Sequence, residues 1–155
     1  MKEGTVLIAE DNRDDFYLLE QAFKRAEIKA RLHWVLNGLD AKAYLEGASE
    51  YGDRSKHPLP DLALVDLKMP AMGGFELLQW IRMQPFLKRM PVVVLTSSER
   101  SPDINKAYDL GANSYLVKPS NLADLVQLVQ SLRHYWLTLN RRPDFLHSET
   151  EEHHL

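Results

Sequence analysis

Asp66 closes a short apolar run, Asp61-Leu-Ala-Leu-Val-Asp66, and is followed within a few residues by Pro70 and the pair Gly73-Gly74, which stop a strand. A carboxylate emerging from a buried strand into a loop can serve as a nucleophile. It can equally be a turn residue, the commoner use of Asp before a Pro-containing loop. Three further places offer chemistry of a matching kind: Glu10-Asp11 after Thr5-Val-Leu-Ile-Ala9, Thr96 after Pro91-Val-Val-Val-Leu, and Lys118 after Asn113-Ser-Tyr-Leu-Val117. Taken singly, Asp11 and Asn12 could be helix caps, Thr96 an ordinary strand residue and Lys118 a solvated amine. Taken together, three acids, a hydroxyl and an ammonium group at corresponding strand ends make a site.

The elements that would position them follow from the spacing of apolar residues. Thr5–Ala9, the run before Asp66, and Pro91–Thr96 are short and rich in apolar or β-branched residues, as buried strands are; Arg31–Val35 and Asn113–Val117 complete a set of five. Between them, helical spacing marks Asp14–Ala26 (Leu18, Leu19, Ala22, Phe23), Leu39–Leu45, Gly74–Met83, and Ser101 to Leu110 with Gly111 as its stop. Asn121 to about Leu139 reads as one long final helix. Gly47–Pro60 is a polar surface loop, and loops of that length in compact domains tend to be functional. Strands alternating with helices imply a parallel, doubly wound α/β sheet with right-handed crossovers. In the order 2-1-3-4-5, strands one and three lie side by side at the topological switch point, which brings Asp11 next to Asp66.

Composition narrows the class. At 155 residues and 45% apolar content the chain suits one globular domain, expected over residues 1–139, with a polar tail over 140–155. A net charge of −3 argues against a nucleic-acid partner. With no cysteine there is no disulfide framework, thiolate metal site or thiol catalysis. No segment has the length of a signal peptide core or a membrane span, so a cytoplasmic protein without membrane attachment is expected. The histidines His33, His57, His134 and His147 read as surface or boundary residues, and His153-His154 lie in the tail.

Glu10-Asp11-Asn12, Asp66-Leu-Lys-Met-Pro70 with Gly73-Gly74, Val94-Leu-Thr96-Ser97, Gly111-Ala112 and Tyr115-Leu-Val-Lys118-Pro119 closely resemble the receiver domain of two-component response regulators, over roughly Thr5 to Leu139. The resemblance implies a flavodoxin-like fold with five helices. It implies that Asp66 accepts a phosphoryl group from a phosphohistidine on a sensor histidine kinase. Glu10, Asp11 and Asp66, with the backbone carbonyl of Lys68, would hold Mg²⁺, while Thr96 and Lys118 would contact phosphoryl oxygens. Thr96 and Tyr115 match the switch pair, and the face formed by helix four, strand five and helix five would be the output surface. Lys68 and Ser98 match positions that tune phosphoryl lifetime.

These implications agree with elementary chemistry. Mg²⁺ takes hard oxygen ligands, and a dication relieves the repulsion of crowded carboxylates. Phosphoryl transfer needs mainly positioning and charge neutralisation. The insertion Gly47–Pro60 and the final helix with His134-Tyr-Trp136-Leu137 look like the single-domain regulators that partner bacterial and cyanobacterial phytochromes. That likeness implies a bacteriophytochrome kinase as partner and a homodimer, with Trp136, Leu137 and Leu139 at an interface or anchoring Phe145 and Leu146. Other readings are a phosphorelay shuttle, a degenerate interaction module, and a phosphohydrolase with Asp66 as nucleophile. The last would want a second carboxylate two residues on, where Lys68 stands.

Overall fold

A computed structural model describes residues 4–143. Five strands form one parallel sheet in the order β2-β1-β3-β4-β5. They are β1 (Thr5–Ala9), β2 (Arg31–Val35), β3 (Leu62–Val65), β4 (Val92–Thr96) and β5 (Ser114–Val117). The helices are α1 (Arg13–Arg25), α2 (Gly38–Glu46), α3 (Gly74–Met83), α4 (Ser101–Asp109) and α5 (Leu122–Leu132). The expected order and element types are therefore observed.

Strands β1, β3 and β4 are buried along their whole length, because helices cover both faces of the sheet. Alternate residues feed two cores. Leu7, Ala9, Ala63, Val65, Val92 and Val94 pack under α2 and α3, and Val6, Ile8, Leu62, Leu64, Val93 and Leu95 pack under α1 and α5. On α1 the buried stripe is Leu19, Ala22 and Phe23, whereas Leu18 faces solvent at 42% exposure. It sits one helical step, about 100°, away from the stripe's centre.

Two segments depart from the simplest expectation. The final helix is α-helical only through Leu132, and Arg133–Leu139 continues as a wider π-helical segment. Its altered phase lets Trp136 and Leu137 pack on the α1/α5 core while Tyr135 and Leu139 remain exposed. Phe145 and Leu146 lie outside the described residues. The long loop before β3 contains a single 3₁₀ turn, Ser49–Tyr51, and is tied down by the Tyr44 hydroxyl on Pro58 O (2.7 Å), by Arg31 on Ser55 O (3.4 Å) and above all by Arg54. Arg54 donates to the carbonyls of Tyr44 (2.7 Å), Leu45 (2.8 Å) and His57 (3.2 Å). Two of these are carbonyls in the last turn of α2, and Tyr44 O also accepts the Gly47 N–H of the helix cap at 3.1 Å. Gly47 ends α2 in the left-handed region at φ 70°, and a Cβ there would stand 2.9 Å from Arg54 Nη2.

Candidate functional site

The carboxyl ends of β1, β3, β4 and β5 open on one edge, as parallel strands must. Glu10 follows β1 and is fixed there at both backbone groups: its N–H donates to Val35 O (3.0 Å), and its carbonyl accepts the Trp34 indole Nε1–H (2.7 Å). Trp34 in turn stacks on Phe16 of α1 with ring centroids 4.5 Å apart and 4° between planes. Asp66 follows β3, its N–H donating to Ala9 O at 3.0 Å, and one carboxylate oxygen accepts from Leu67 N–H at 2.7 Å.

The loop beyond Asp66 is held from two sides. Gly74 N–H donates to Leu67 O (2.9 Å), and Met72 O accepts the Gly38 N–H of α2 (2.8 Å). Gly74 is required by packing, not by its backbone angles: a Cβ would lie 2.3 Å from Asp66 O.

Glu10, Asp11 and Asp66 converge, each offering an oxygen within 4.8 Å of the others. The first and last are buried, while Asp11 is exposed. Lys118, following β5, reaches into this cluster. Its ammonium donates to Glu10 Oε1 in a short contact, to Asp66 Oδ2 at 2.7 Å and to Asp15 Oδ2 at 2.8 Å.

Electrostatics express the crowding. Burial pushes the Glu10 carboxyl up to about 7, with Asp66 adding to the rise, against the lowering pull of Lys118 and the Asn12 N–H. Burial works to lower the Lys118 ammonium, but hydrogen bonds to Asp15, Asp66 and Glu10 outweigh it and hold the group above its usual range. All the acidic donors are hard carboxylate oxygens, and the cation now neutralising them is an ammonium group. The cluster therefore fits a divalent metal ion that prefers oxygen.

Beside it, a cleft of about 550 Å³ is lined by Asp66, Lys68, Thr96, Ser97, Ser98, Glu99 and Arg100. Thr96 is buried at its floor. Tyr115 donates its hydroxyl to Ser98 O at 3.0 Å, tying β5 to the β4–α4 loop. Ser98 Oγ donates to Asp103 (2.6 Å) and accepts from Arg100 N–H (3.2 Å), which secures the start of α4.

Glu10, Asp11, Asp66, Lys68, Thr96, Ser98, Tyr115 and Lys118 thus lie at this edge, whereas Trp136, Leu137 and Leu139 lie on the last helical segment. Asp15, Trp34 and Phe16 were not anticipated; the only signal for Asp15 was its place in an acidic first helical turn. His33 and His57 sit apart, ringed by Tyr44 and Tyr51 under the long loop.

In a doubly wound parallel sheet the switch point between β1 and β3 is where ligands bind, and here it carries an acidic cluster with an ammonium opposite. The chain belongs to the response regulator receiver domain family, whose model matches residues 6–130. In sequence it is 39% identical over 138 residues to the "Probable methanogenesis regulatory protein FilR2" of Methanothrix harundinacea, covering 89% of this chain and 86% of that protein. It is 39% identical over 132 residues to the response regulator Rcp1 of Synechocystis sp., covering 85% and 88%. The Mn²⁺-bound structure of Rcp1 superposes with a TM-score of 0.79 at 38% identity, covering 90% of this chain and 99% of that one. The phosphorylated cyanobacterial phytochrome response regulator RcpA gives 0.83 at 36% identity, covering 90% and 98%.

Proposed function

We propose that Asp66 is the phosphoacceptor of a Mg²⁺-dependent signalling switch, charged by a sensor histidine kinase. The observation that carries this is the 2.7 Å contact between Lys118 Nζ and Asp66 Oδ2, with Glu10 and Asp11 completing an acidic cluster at the mouth of the adjacent cleft. An Asp66 carboxylate oxygen attacks phosphorus, the bond from phosphorus to the phosphohistidine nitrogen breaks, and the imidazole leaves with the electron pair and takes up a proton. Glu10, Asp11, Asp66 and the Lys68 backbone carbonyl would hold Mg²⁺, which would supply neutralisation of the charge on the transferring oxygens. The Lys118 ammonium answers the charge on the other side, and the Thr96 hydroxyl donates to a phosphoryl oxygen. The protein signals by binding, not by turnover, since Lys68 stands where a phosphohydrolase would need its second carboxylate.

In the same reading the receiver spans residues 1–139 and 140–155 form its tail. Phosphorylation draws Thr96 toward Asp66, and the Tyr115–Ser98 link transmits that shift to α4 and β5. The output face then supports a homodimer. In favour of this, β5 is only half-buried, and beside it lies an apolar recess of about 460 Å³ lined by Ser114, Leu116, Leu128, Ser131, Leu132, Tyr135 and Trp136. A phytochrome, bacterial or cyanobacterial, is the proposed kinase, on the likeness to the cyanobacterial phytochrome response regulator RcpA. That partner needs its own test, because FilR2 is named for methanogenesis.

Incubation with Mg²⁺ and acetyl phosphate should add one phosphoryl group to the parent chain and none to Asp66→Asn, read by intact mass. No gain on the parent, or an equal gain on the variant, rejects the assignment. Sedimentation velocity with and without phosphodonor tests the dimer. A monomer under both conditions at high micromolar concentration ends it. Phosphotransfer from a purified bacteriophytochrome, compared with an unrelated histidine kinase, tests the partner.

A further inference from the structure

We propose that Asp15 is a positioning residue for metal loading: it gives the Lys118 ammonium a carboxylate to remain on when a divalent cation takes over Glu10 and Asp66. The inference rests on the metal and phosphoryl reading above and concerns a residue that reading does not use.

Asp15 stands in the first turn of α1, where Asn12 caps the helix by accepting the Asp15 N–H at 2.9 Å. That cap sets the helix phase, and the phase aims the Asp15 side chain back over the strand ends. Its Oδ2 lies 2.8 Å from Lys118 Nζ. The two other carboxylates on the same ammonium, Glu10 and Asp66, belong to the cluster that can hold a metal ion, and Asp15 does not. The side chains differ in exposure in the same sense: Asp15 is 41% exposed, Glu10 6% and Asp66 11%.

Two cations cannot both sit on Glu10 and Asp66 without strong mutual repulsion. As metal enters, Lys118 must give up those two contacts. With Asp15 in place it keeps one charge-assisted hydrogen bond at the outer side of the pocket, still within reach of the cleft. Without Asp15 the ammonium has only the two metal ligands to pair with, and it competes with the metal for them. Asp14, one residue earlier and exposed, supplies the same helix-end charge without touching Lys118, so it controls for the field of the helix.

The test is Mg²⁺ binding followed by calorimetry in the absence of any phosphodonor. Asp15→Asn should weaken Mg²⁺ about three- to fivefold, the scale of one partly exposed ion pair, and Asp14→Asn by less than about twofold. Asp15→Glu should restore the parent value. In a Lys118→Ala background the Asp15→Asn effect should fall to that of Asp14→Asn, because the residue acts through the ammonium. Equal effects of the two Asn variants, or an Asp15→Asn effect undiminished without Lys118, overturns the proposal while leaving the metal site standing. If the parent fails to bind Mg²⁺, or binds it as well after Asp66→Asn, the underlying metal site and this proposal fall together.

Discussion

Trp34 Nε1–H donates to the backbone carbonyl of Glu10 at 2.7 Å, so an aromatic side chain on the strand next to β1 fixes the main chain at the acidic pocket. The stacked Phe16 ring fixes the indole in turn and links the first turns of α1 to the same point. The indole thus sits one hydrogen bond away from the main chain of a residue in the acidic cluster.

Trp34→Phe should keep the stack and lose the donor. A lost hydrogen bond to a partly buried carbonyl costs about 1 kcal/mol. We expect a stability loss of that size in urea melts, and Mg²⁺ affinity by calorimetry to fall by about three- to fivefold. In the parent, Mg²⁺ should change tryptophan emission; the change should vanish in Trp34→Phe and persist in Trp136→Phe.

Lys118 contacts three carboxylates, two of them buried, and is the nearest positive charge to each. Removing one partner of a buried charge cluster leaves the others uncompensated, at a cost of about 3 kcal/mol. Lys118→Ala should accordingly melt well below the parent in EDTA, and Mg²⁺ should recover most of the loss by replacing the missing positive charge. Phosphorylation by acetyl phosphate should stay low in the refolded, Mg²⁺-loaded variant if Lys118 serves the phosphoryl group as proposed. A variant as stable as the parent in EDTA would show that the three contacts contribute little.

The strand ends were legible because each of Ala9, Val65, Thr96 and Val117 finishes an apolar run just before a charged or turn-forming residue, and parallel strands put all such ends on one edge. That was enough to bring Asp66, Glu10, Asp11 and Lys118 together. The Asp15 contact depends on the phase that Asn12 sets for α1 and on a side-chain rotamer, neither of which apolar periodicity encodes. Trp34 read as one more strand residue, because its partner is a backbone carbonyl and carries no sequence signal. The π-helical turn at Arg133 was invisible for a related reason: Leu132, Trp136 and Leu137 are spaced acceptably for either an α- or a π-helix, and packing against the sheet decides. Leu18 was grouped with the apolar stripe because it stands four residues before Ala22, a helical spacing that does not by itself decide which edge of the stripe is buried.

His33 should give the long loop a pH dependence. Its imidazole is held below the ordinary value of 6.5 by burial first, then by Arg31 on its own strand and by His57 from the loop; Tyr44 packs against it as a neutral ring, and Tyr51 packs in turn on Tyr44 and His57. Two ring atoms here, His33 Nε2 and His57 Nδ1, are buried without a hydrogen-bond partner among the described residues. As pH falls below 6.5 the unfolded chain takes up a proton on His33 that the folded chain resists. This group's contribution to stability is thus fully present above that pH and is lost as pH drops through the folded value. His33→Phe should flatten the decline between about pH 7 and pH 5 in paired urea melts, relative to the parent. Limited proteolysis across residues 48–60 should accelerate on acidification in the parent more than in the variant.

Gly74 tests whether the position of Asp66 is set by packing behind it. A Cβ on Gly74 would stand 2.3 Å from Asp66 O and 2.9 Å from Leu67 Cα, so α3 or the Asp66 loop must move. At Gly73, by contrast, the nearest atom is Leu67 O at 3.1 Å, a contact that a small backbone adjustment relieves. Overpacking of this kind costs about 1–3 kcal/mol. Gly74→Ala should therefore lose stability in that range and Gly73→Ala less. The informative comparison is the phosphorylation rate with acetyl phosphate at a temperature where circular dichroism shows both variants folded. If displacement of the Asp66 main chain moves its carboxylate away from Lys118, Gly74→Ala should be slower than Gly73→Ala by about tenfold or more, since a misplacement of about 1 Å can cost a hundredfold. Equal rates in two folded variants would mean that the carboxylate finds its position through Lys118 and the Leu67 N–H alone, without support from the helix behind it.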